Sequence, residues 1–217
     1  LGFIDLSGNV YLNRGGVYVM REVAKNLYPH EAKERSPFAD KASLVLRYLL
    51  GRREAGGVRE MAGALGLDPG YVSRVVRAAE GQEYLSIDRK GRARLKNHEE
   101  MLADWCAFYN WTKNDREGFF RMARGKEEIR DLLRRNLAGR EGYALSLHSG
   151  NNLVRPFVSY DVVHLYIEDS GLAERLKNAL ELEPVPLESA NVVLMGSYYR
   201  HSVFWGARDI GDFRVVS

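Results

Sequence analysis

The 217-residue sequence predicts an α+β fold. Three observations predict it. Two short helical patterns and a basic strand–turn–strand follow one another without interruption from Val58 to Lys96. From Tyr143 onward, short β-rich runs alternate with helical patterns, and the first dozen residues alternate around a Ser-Gly-Asn turn. Together they predict a winged helix-turn-helix, then a helical connector and a small α/β domain, with an N-terminal β-hairpin remnant. The expected divisions are 1–35, 36–97, 98–140 and 141–217.

Phe3 to Leu12 reads as a hairpin turning at Ser7-Gly8-Asn9, and Val17 to Met20 as a third strand. Residues 22–35 read as a polar linker. A hairpin opening at residue 3 looks like the remnant of a truncated upstream domain. Asp5 has no partner acid or lysine nearby and is not read as catalytic.

Ser36-Pro37 opens the next module, since proline holds the preceding residue extended. Ala42, Leu44, Val45, Leu46, Leu49 and Leu50 predict a first helix from Asp40. Val58, Met61, Ala62 and Leu65 recur at helical spacing and predict a second, stopped by Gly66. Asp68 is a good N-cap and Pro69 a good first helical residue. The third helix then runs to about Glu80 and buries Val72, Val75, Val76 and Ala79. That phasing leaves Gly70, Tyr71, Ser73, Arg74 and Arg77 outward. Tyr84 to Leu95 alternates and turns at Arg89 to Arg92, the pattern of a β-wing carrying Arg89, Lys90, Arg92 and Arg94. In a helix-turn-helix the second helix of the pair enters the DNA major groove. The expected partner is therefore double-stranded DNA, contacted by those nine residues. The alternative is a module that binds protein, with its arginines merely solvated.

Glu99 to Trp111 predicts an amphipathic helix with Leu102, Trp105, Phe108 and Tyr109 inward, and Cys106 as a buried, inert thiol. Residues 115–140 predict a charged helix ending near Gly139. Beyond it, strands are expected at Tyr143 to Leu147, Val162 to Glu168, Val192 to Met195 and Val203 to Trp205, with a helix over Leu172 to Leu182. Residues 148–158 read as a short helix or turn. The end at Val215-Val216-Ser217 has strand texture, so this domain too is read as truncated.

The net charge of +3 is unevenly spread. Residues 36–97 hold 12 Lys and Arg against 7 Asp and Glu, and 141–217 hold 6 against 10. A basic module joined to an acidic one fits a nucleic-acid reader attached to something else. No run is long enough to span a membrane and no signal peptide is visible, so a cytoplasmic protein is expected. A single cysteine excludes an internal disulfide.

Ser36 to Ser43 (SPFADKAS), Leu102 to Tyr109 (LADWCAFY), Tyr143-Ala144-Leu145 and Asn191 to Gly206 (NVVLMGSYYRHSVFWG) resemble the AbiEi-type antitoxin and transcriptional-regulator family. LGFIDLSGNVYL at the start is similar to the tail of a restriction-endonuclease-like domain found in some members. The resemblance covers nearly the whole chain. It implies a type IV toxin–antitoxin repressor whose winged helix-turn-helix autoregulates transcription of its operon. Its α/β part would oppose a cognate toxin protein of nucleotidyltransferase fold. Ser146-Leu147-His148-Ser149-Gly150 departs from the family pattern, where a helix start of small residues is expected.

An enzyme is not expected. Gly196-Ser197 followed by Asp209 and Asp212 resembles the nucleotidyltransferase signature, in which two carboxylates hold Mg²⁺. Those carboxylates should alternate on one strand, whereas these stand three apart across Ile210-Gly211. His30, His98, His148, His164 and His201 share no ligand spacing, and no cofactor or metal is implied. The competing reading is a fragment of a nuclease or divergent nucleotidyltransferase that uses the winged helix for targeting. Two further expectations concern the C-terminal part. Some of Tyr198, Tyr199 and Arg200 should be exposed as partner anchors, with Phe204 or Trp205 buried. A fragment lacking everything after Arg140 should still bind DNA and lose any partner binding.

Overall fold

The computed structural model describes residues 2–5, 7–23, 36–52 and 56–216, in two units, Leu1–Arg35 and Ser36–Ser217. The linker expected at 22–35 lies, from residue 24 on, outside the described residues. The fold is mixed α+β.

The first unit is an antiparallel meander of β1 (Gly2–Ile4), β2 (Val10–Arg14) and β3 (Val17–Arg21). The Asp5 carboxylate accepts from the Asn9 backbone N–H at 3.0 Å and its side-chain amide at 2.7 Å. The same Asn9 bonds hold its pKa below the usual carboxylate range. Asp5 is thus a turn residue.

The second unit begins with α1 (Asp40–Leu50), a short strand β4 (Gly56–Gly57), α2 (Val58–Leu65) and α3 (Pro69–Gly81). Gly66 ends α2 in the left-handed region at φ 63°, a conformation open to glycine at no steric cost. The Asp68 carboxylate accepts the Tyr71 N–H at 2.8 Å and Pro69 fills the first helical position, so α3 starts where the sequence places it. Strands β5 (Leu85–Ile87) and β6 (Arg92–Leu95) form a hairpin, and β4 adds to its β6 edge. One apolar cluster holds these elements: Leu46 and Leu49 from α1, Met61 from α2, Val72 and Val76 from α3, and Leu85 and Ala93 from the hairpin.

After α4 (His98–Phe108) the chain enters a seven-stranded mixed sheet through β7 (Asp115–Phe120). Then come α5 (Lys126–Leu137), β8 (Tyr143–Leu145), α6 (Leu147–Val154), β9 (Val163–Ile167) and α7 (Ser170–Ala179). Strands β10 (Glu183–Pro184), β11 (Val192–Gly196), β12 (Arg208–Ile210) and β13 (Phe213–Val215) finish it. The spatial order is β10-β7-β11-β9-β8-β13-β12. Alternation along β9 and β11 separates two clusters. Val163, Leu165, Val192 and Leu194 pack with Ile129 and Leu133 of α5 and Leu172 and Leu176 of α7. Tyr166, Val193 and Met195 belong to a second cluster with Val203 and Phe204.

Four expectations fail here. Residues 115–120 are a strand, so 98–140 is no purely helical connector; β7 pairs antiparallel with β11, Phe119 opposite Val192. The helix expected over 115–140 starts only at Lys126, and Phe119 and Phe120 lie on β7. In α4 the fully buried side chain is Met101. Leu102 and Phe108 are exposed, Trp105 and Tyr109 half-buried, and Cys106 is exposed. Val203 to Trp205 lies in successive turns and forms no strand. Tyr143 to Leu147 is a strand only to Leu145, because α6 begins at Leu147.

Candidate nucleic-acid interface

Helix α3 presents two faces that follow from its phasing. Val72, Val75, Val76 and Ala79 are buried, while Gly70, Arg74 and Arg77 are exposed and Tyr71 and Ser73 half-exposed. The Arg74 guanidinium lies 6.0 Å from the Tyr71 ring centroid, at the outer edge of a cation–π contact. At Gly70 an added Cβ would come 3.1 Å from Asp68 Oδ1, so this position keeps the capping turn tight.

The hairpin turn is built by Asp88. Its carboxylate accepts the Lys90 N–H at 2.8 Å and the Arg92 N–H at 2.9 Å, and Gly91 takes φ +73°. The Arg92 N–H is the main cause of an Asp88 pKa below the ordinary carboxylate value. Arg92 Nε also stands 3.5 Å from Asp88 Oδ2. Arg89, Lys90, Arg92 and Arg94 are all exposed. Alternation explains the pattern: Ala93, between Arg92 and Arg94, points into the core at 0% exposure, so its neighbours point out.

The hairpin's base is tied down by Tyr84, whose hydroxyl donates to Asp104 Oδ2 of α4 at 2.6 Å. Burial, with the Asp104 carboxylate, pushes the Tyr84 hydroxyl up to about 12. Tyr48 of α1 likewise donates to Glu60 at 2.8 Å, and Arg52 joins that carboxylate at 2.7 Å.

The segment after β11 is bonded closely to α1 and the residues before it. Tyr199 is buried and donates its hydroxyl to the Phe38 carbonyl. Asp40 of α1 accepts the N–H groups of His201 and Ser202, both at 2.9 Å. Arg47 of α1 donates to the carbonyls of Ser202 at 2.6 Å and Trp205 at 2.7 Å. Tyr109, Tyr198 and Tyr199 stack edge-on and tilted, with ring centroids 4.6–5.2 Å apart. Of the three expected anchors Arg200 is exposed, Tyr198 half-buried and Tyr199 buried, while Phe204 and Trp205, of which one was expected to be buried, are both half-buried. These side chains fasten the sheet to α1.

Asp209 and Asp212 are not brought to Gly196-Ser197. Asp209 lies on β12, and Asp212 follows it in the turn and stands 3.8 Å from Arg134. A different pair is brought there. Asp115 and Glu117 alternate on β7, with Asp115 opposite Gly196, and line a cleft of about 530 Å³ together with Glu168, Asp169 and Ser197. The strand spacing was legible in principle as Asp-Arg-Glu-Gly-Phe-Phe, but the helical reading of 115–140 hid it. Glu117 is paired with Lys177 at 2.8 Å, and Asp169 caps α7 through the Leu172 N–H. Among the described residues no three His, Cys, Asp or Glu side chains are grouped to hold a metal ion. His164 is half-buried, and burial lowers its pKa, favouring the neutral ring. His98, His148 and His201 are exposed, and His30 lies outside the described residues. No described helix is long and apolar enough to cross a membrane.

Comparison with protein-family models, with curated proteins and with solved structures found no match.

Proposed function

We propose that the chain is a DNA-binding transcriptional regulator that reads duplex DNA through a winged helix-turn-helix formed by residues 36–97. One observation carries this reading: α3 opens on a capped proline turn, leaves Arg74 and Arg77 bare, and leads directly into a hairpin with four exposed cations. Arginine on an inserted helix is the commonest reader of guanine, and cations on a hairpin suit backbone phosphates. The resemblance to AbiEi-type antitoxins extends the proposal to an autorepressor in the cytoplasm with a cognate toxin as partner. Arg89, Lys90, Arg92 and Arg94 would anchor, while Gly70, Tyr71, Ser73, Arg74 and Arg77 would face the groove. The test is a salt titration of binding to duplex DNA. With about five phosphate contacts, log K should fall against log salt with a slope of roughly −4 to −5. Binding indifferent to salt, or none, overturns the proposal.

A second reading rests on Asp115 and Glu117, which meet the alternating-carboxylate requirement beside Gly196-Ser197. It makes the sheet a nucleotidyltransferase-like centre. In that centre Glu117 is paired with Lys177, so Asp115 would carry the free carboxylate. Mg²⁺-dependent nucleotide transfer that disappears in Asp115→Asn would establish it.

A further inference from the structure

The outward face of α3 is sparsely furnished. Val72, Val75, Val76 and Ala79 are buried on one side of the helix. Diametrically opposite stand Gly70 and Gly81, both exposed and neither with a side chain. At about 100° per residue, Arg74 and Arg77 flank that glycine line on its two sides, about 60° apart. Along the axis they are separated by about 4.5 Å, a little more than the rise of about 3.4 Å between successive base pairs. Arg74 is also aimed. A Cβ added at Gly70 would stand 3.6 Å from Arg74 Nη1, so the guanidinium reaches back over the first turn, beside the Tyr71 ring. The first turn is the part of a recognition helix that meets base edges. Among the described residues neither guanidinium has a hydrogen-bond or ion-pair partner.

The chemistry of this face selects one base. Helix α3 contains no Asn or Gln, the side chains that match the adenine edge, and its one carboxylate, Glu80, lies in the last turn. The O6 and N7 atoms of guanine accept both N–H groups of one guanidinium. With the glycine line against the groove floor, side chains leaning to its two sides meet bases of opposite strands. We propose that α3 reads one two-base-pair step of G·C pairs, GC or CG, with a guanine on each strand. Arg74 takes one guanine and Arg77 the other. This rests on the DNA-reading proposal and names what is read.

The test uses the full chain and a pool of duplexes with a randomised centre. Sequences enriched by repeated selection should share a GC or CG step. In the tightest binder each guanine of the step is then replaced by 7-deazaguanine, which lacks the N7 acceptor and still pairs with cytosine. Each replacement should weaken binding about tenfold in anisotropy titrations, within the range of a bidentate contact. In Arg74→Ala one of the two replacements should cost nothing further, and in Arg77→Ala the other. Both variants should keep the melting temperature, because both side chains are exposed. Binding with no enriched G·C step, or with 7-deazaguanine tolerated on both strands, overturns the inference and leaves DNA reading standing. Two guanines on one strand, or both replacements silenced by the same variant, overturn the opposite-strand arrangement. A chain that binds no duplex at any salt concentration overturns the DNA-reading proposal itself.

Discussion

The outer face of α3 and the segment from Ser197 to Gly206 are built from the same kinds of residue and end in opposite situations. Each joins tyrosine and arginine within a few positions, the composition that marks interfaces. On α3, Tyr71 and Arg74 lie against each other at the surface, above a face already filled by Val72 and Val75. In the other segment Tyr199 is buried on Phe38, and Trp205 lies 5.2 Å beneath the Arg47 guanidinium. What separates them is what they are bonded to. At the second site Asp40 and Arg47 of α1 bond the backbone of the segment, and the Tyr199 and Tyr198 hydroxyls bond the backbone of Phe38 and Asn110, so these aromatic residues are used within the molecule. An interface cannot be read from residue type until such internal partners have been counted.

The strongest way to break this comparison is to remove the second site. Deleting 141–217 takes away the partners of β7 on its β11 and β10 sides and leaves the Phe38 carbonyl, Asp40 and Arg47 without the groups they bond. An isolated strand and an uncovered apolar face are not stable alone. The fragment lacking everything after Arg140 is therefore expected to lose cooperative folding and, with it, DNA binding, measured by thermal circular dichroism and by anisotropy on duplex DNA. This reverses the expectation that the reader works without 141–217. A fragment that melts cooperatively and still binds would restore it.

A smaller intervention sharpens the same point. Arg47→Ala strands the carbonyls of Ser202 and Trp205, each costing on the order of 1–3 kcal/mol when buried and unbonded. A stability loss of about 2–4 kcal/mol is expected in denaturant titration. Arg74→Ala should leave stability within about 0.5 kcal/mol, because nothing in the core touches that guanidinium. It should instead cost about 1–3 kcal/mol on a cognate DNA site and little on random DNA. If the two variants exchange these signatures, the roles assigned to the two regions are reversed.

Legibility followed locality. The helices from Asp40 to Gly81 are set by apolar spacing, one cap and one glycine, all within a few residues of where they act, so their phasing is plain in the sequence. The exposed cations of the hairpin are legible for the same reason: alternation around Ala93 settles them. The sheet is set by partners far away in sequence. Asp115 to Phe120 has no strand signal of its own strong enough to outweigh the helix that follows, and only pairing with β11, some 70 residues on, makes it extended. Leu102 and Cys106 are exposed because α4 is seated by the buried Met101 and by Trp105 against Phe38, a narrower face than the aromatic stripe suggests.

Alkaline pH gives a further test, aimed at the joint between hairpin and α4. The Tyr84 hydroxyl ordinarily ionises near 10 and is raised to about 12 in the folded chain. Between those values the unfolded chain has lost this proton and the folded chain keeps it, so stability falls as pH rises through the window. The contribution is fully present below pH 10. Buried Tyr166 and Tyr199 are shifted upward too and add to the alkaline loss. The difference between the wild-type chain and Tyr84→Phe isolates the one residue. The variant should lose about 1 kcal/mol at neutral pH and show a shallower decline above pH 10, in denaturant midpoints taken across that range. Parallel curves would mean that the Asp104 bond does not form in solution.

The smallest expected effect lies at the tip of the hairpin, in Arg92. Its pairing with Asp88 is a 3.5 Å contact between half-exposed side chains, a kind worth little to stability. The Asp88 carboxylate also keeps its bonds to the backbone N–H groups of Lys90 and 92, which do not depend on the guanidinium. Arg92→Ala should therefore move the denaturant midpoint by no more than about 0.5 kcal/mol and leave the turn intact. On DNA it should weaken cognate and random sequences alike and flatten the salt slope by about one unit, because one phosphate contact is gone. That combination separates an anchoring cation from a reading one. A sequence-selective loss in Arg92→Ala, with the slope unchanged, would place base reading in the hairpin and leave the outer face of α3 without its proposed role.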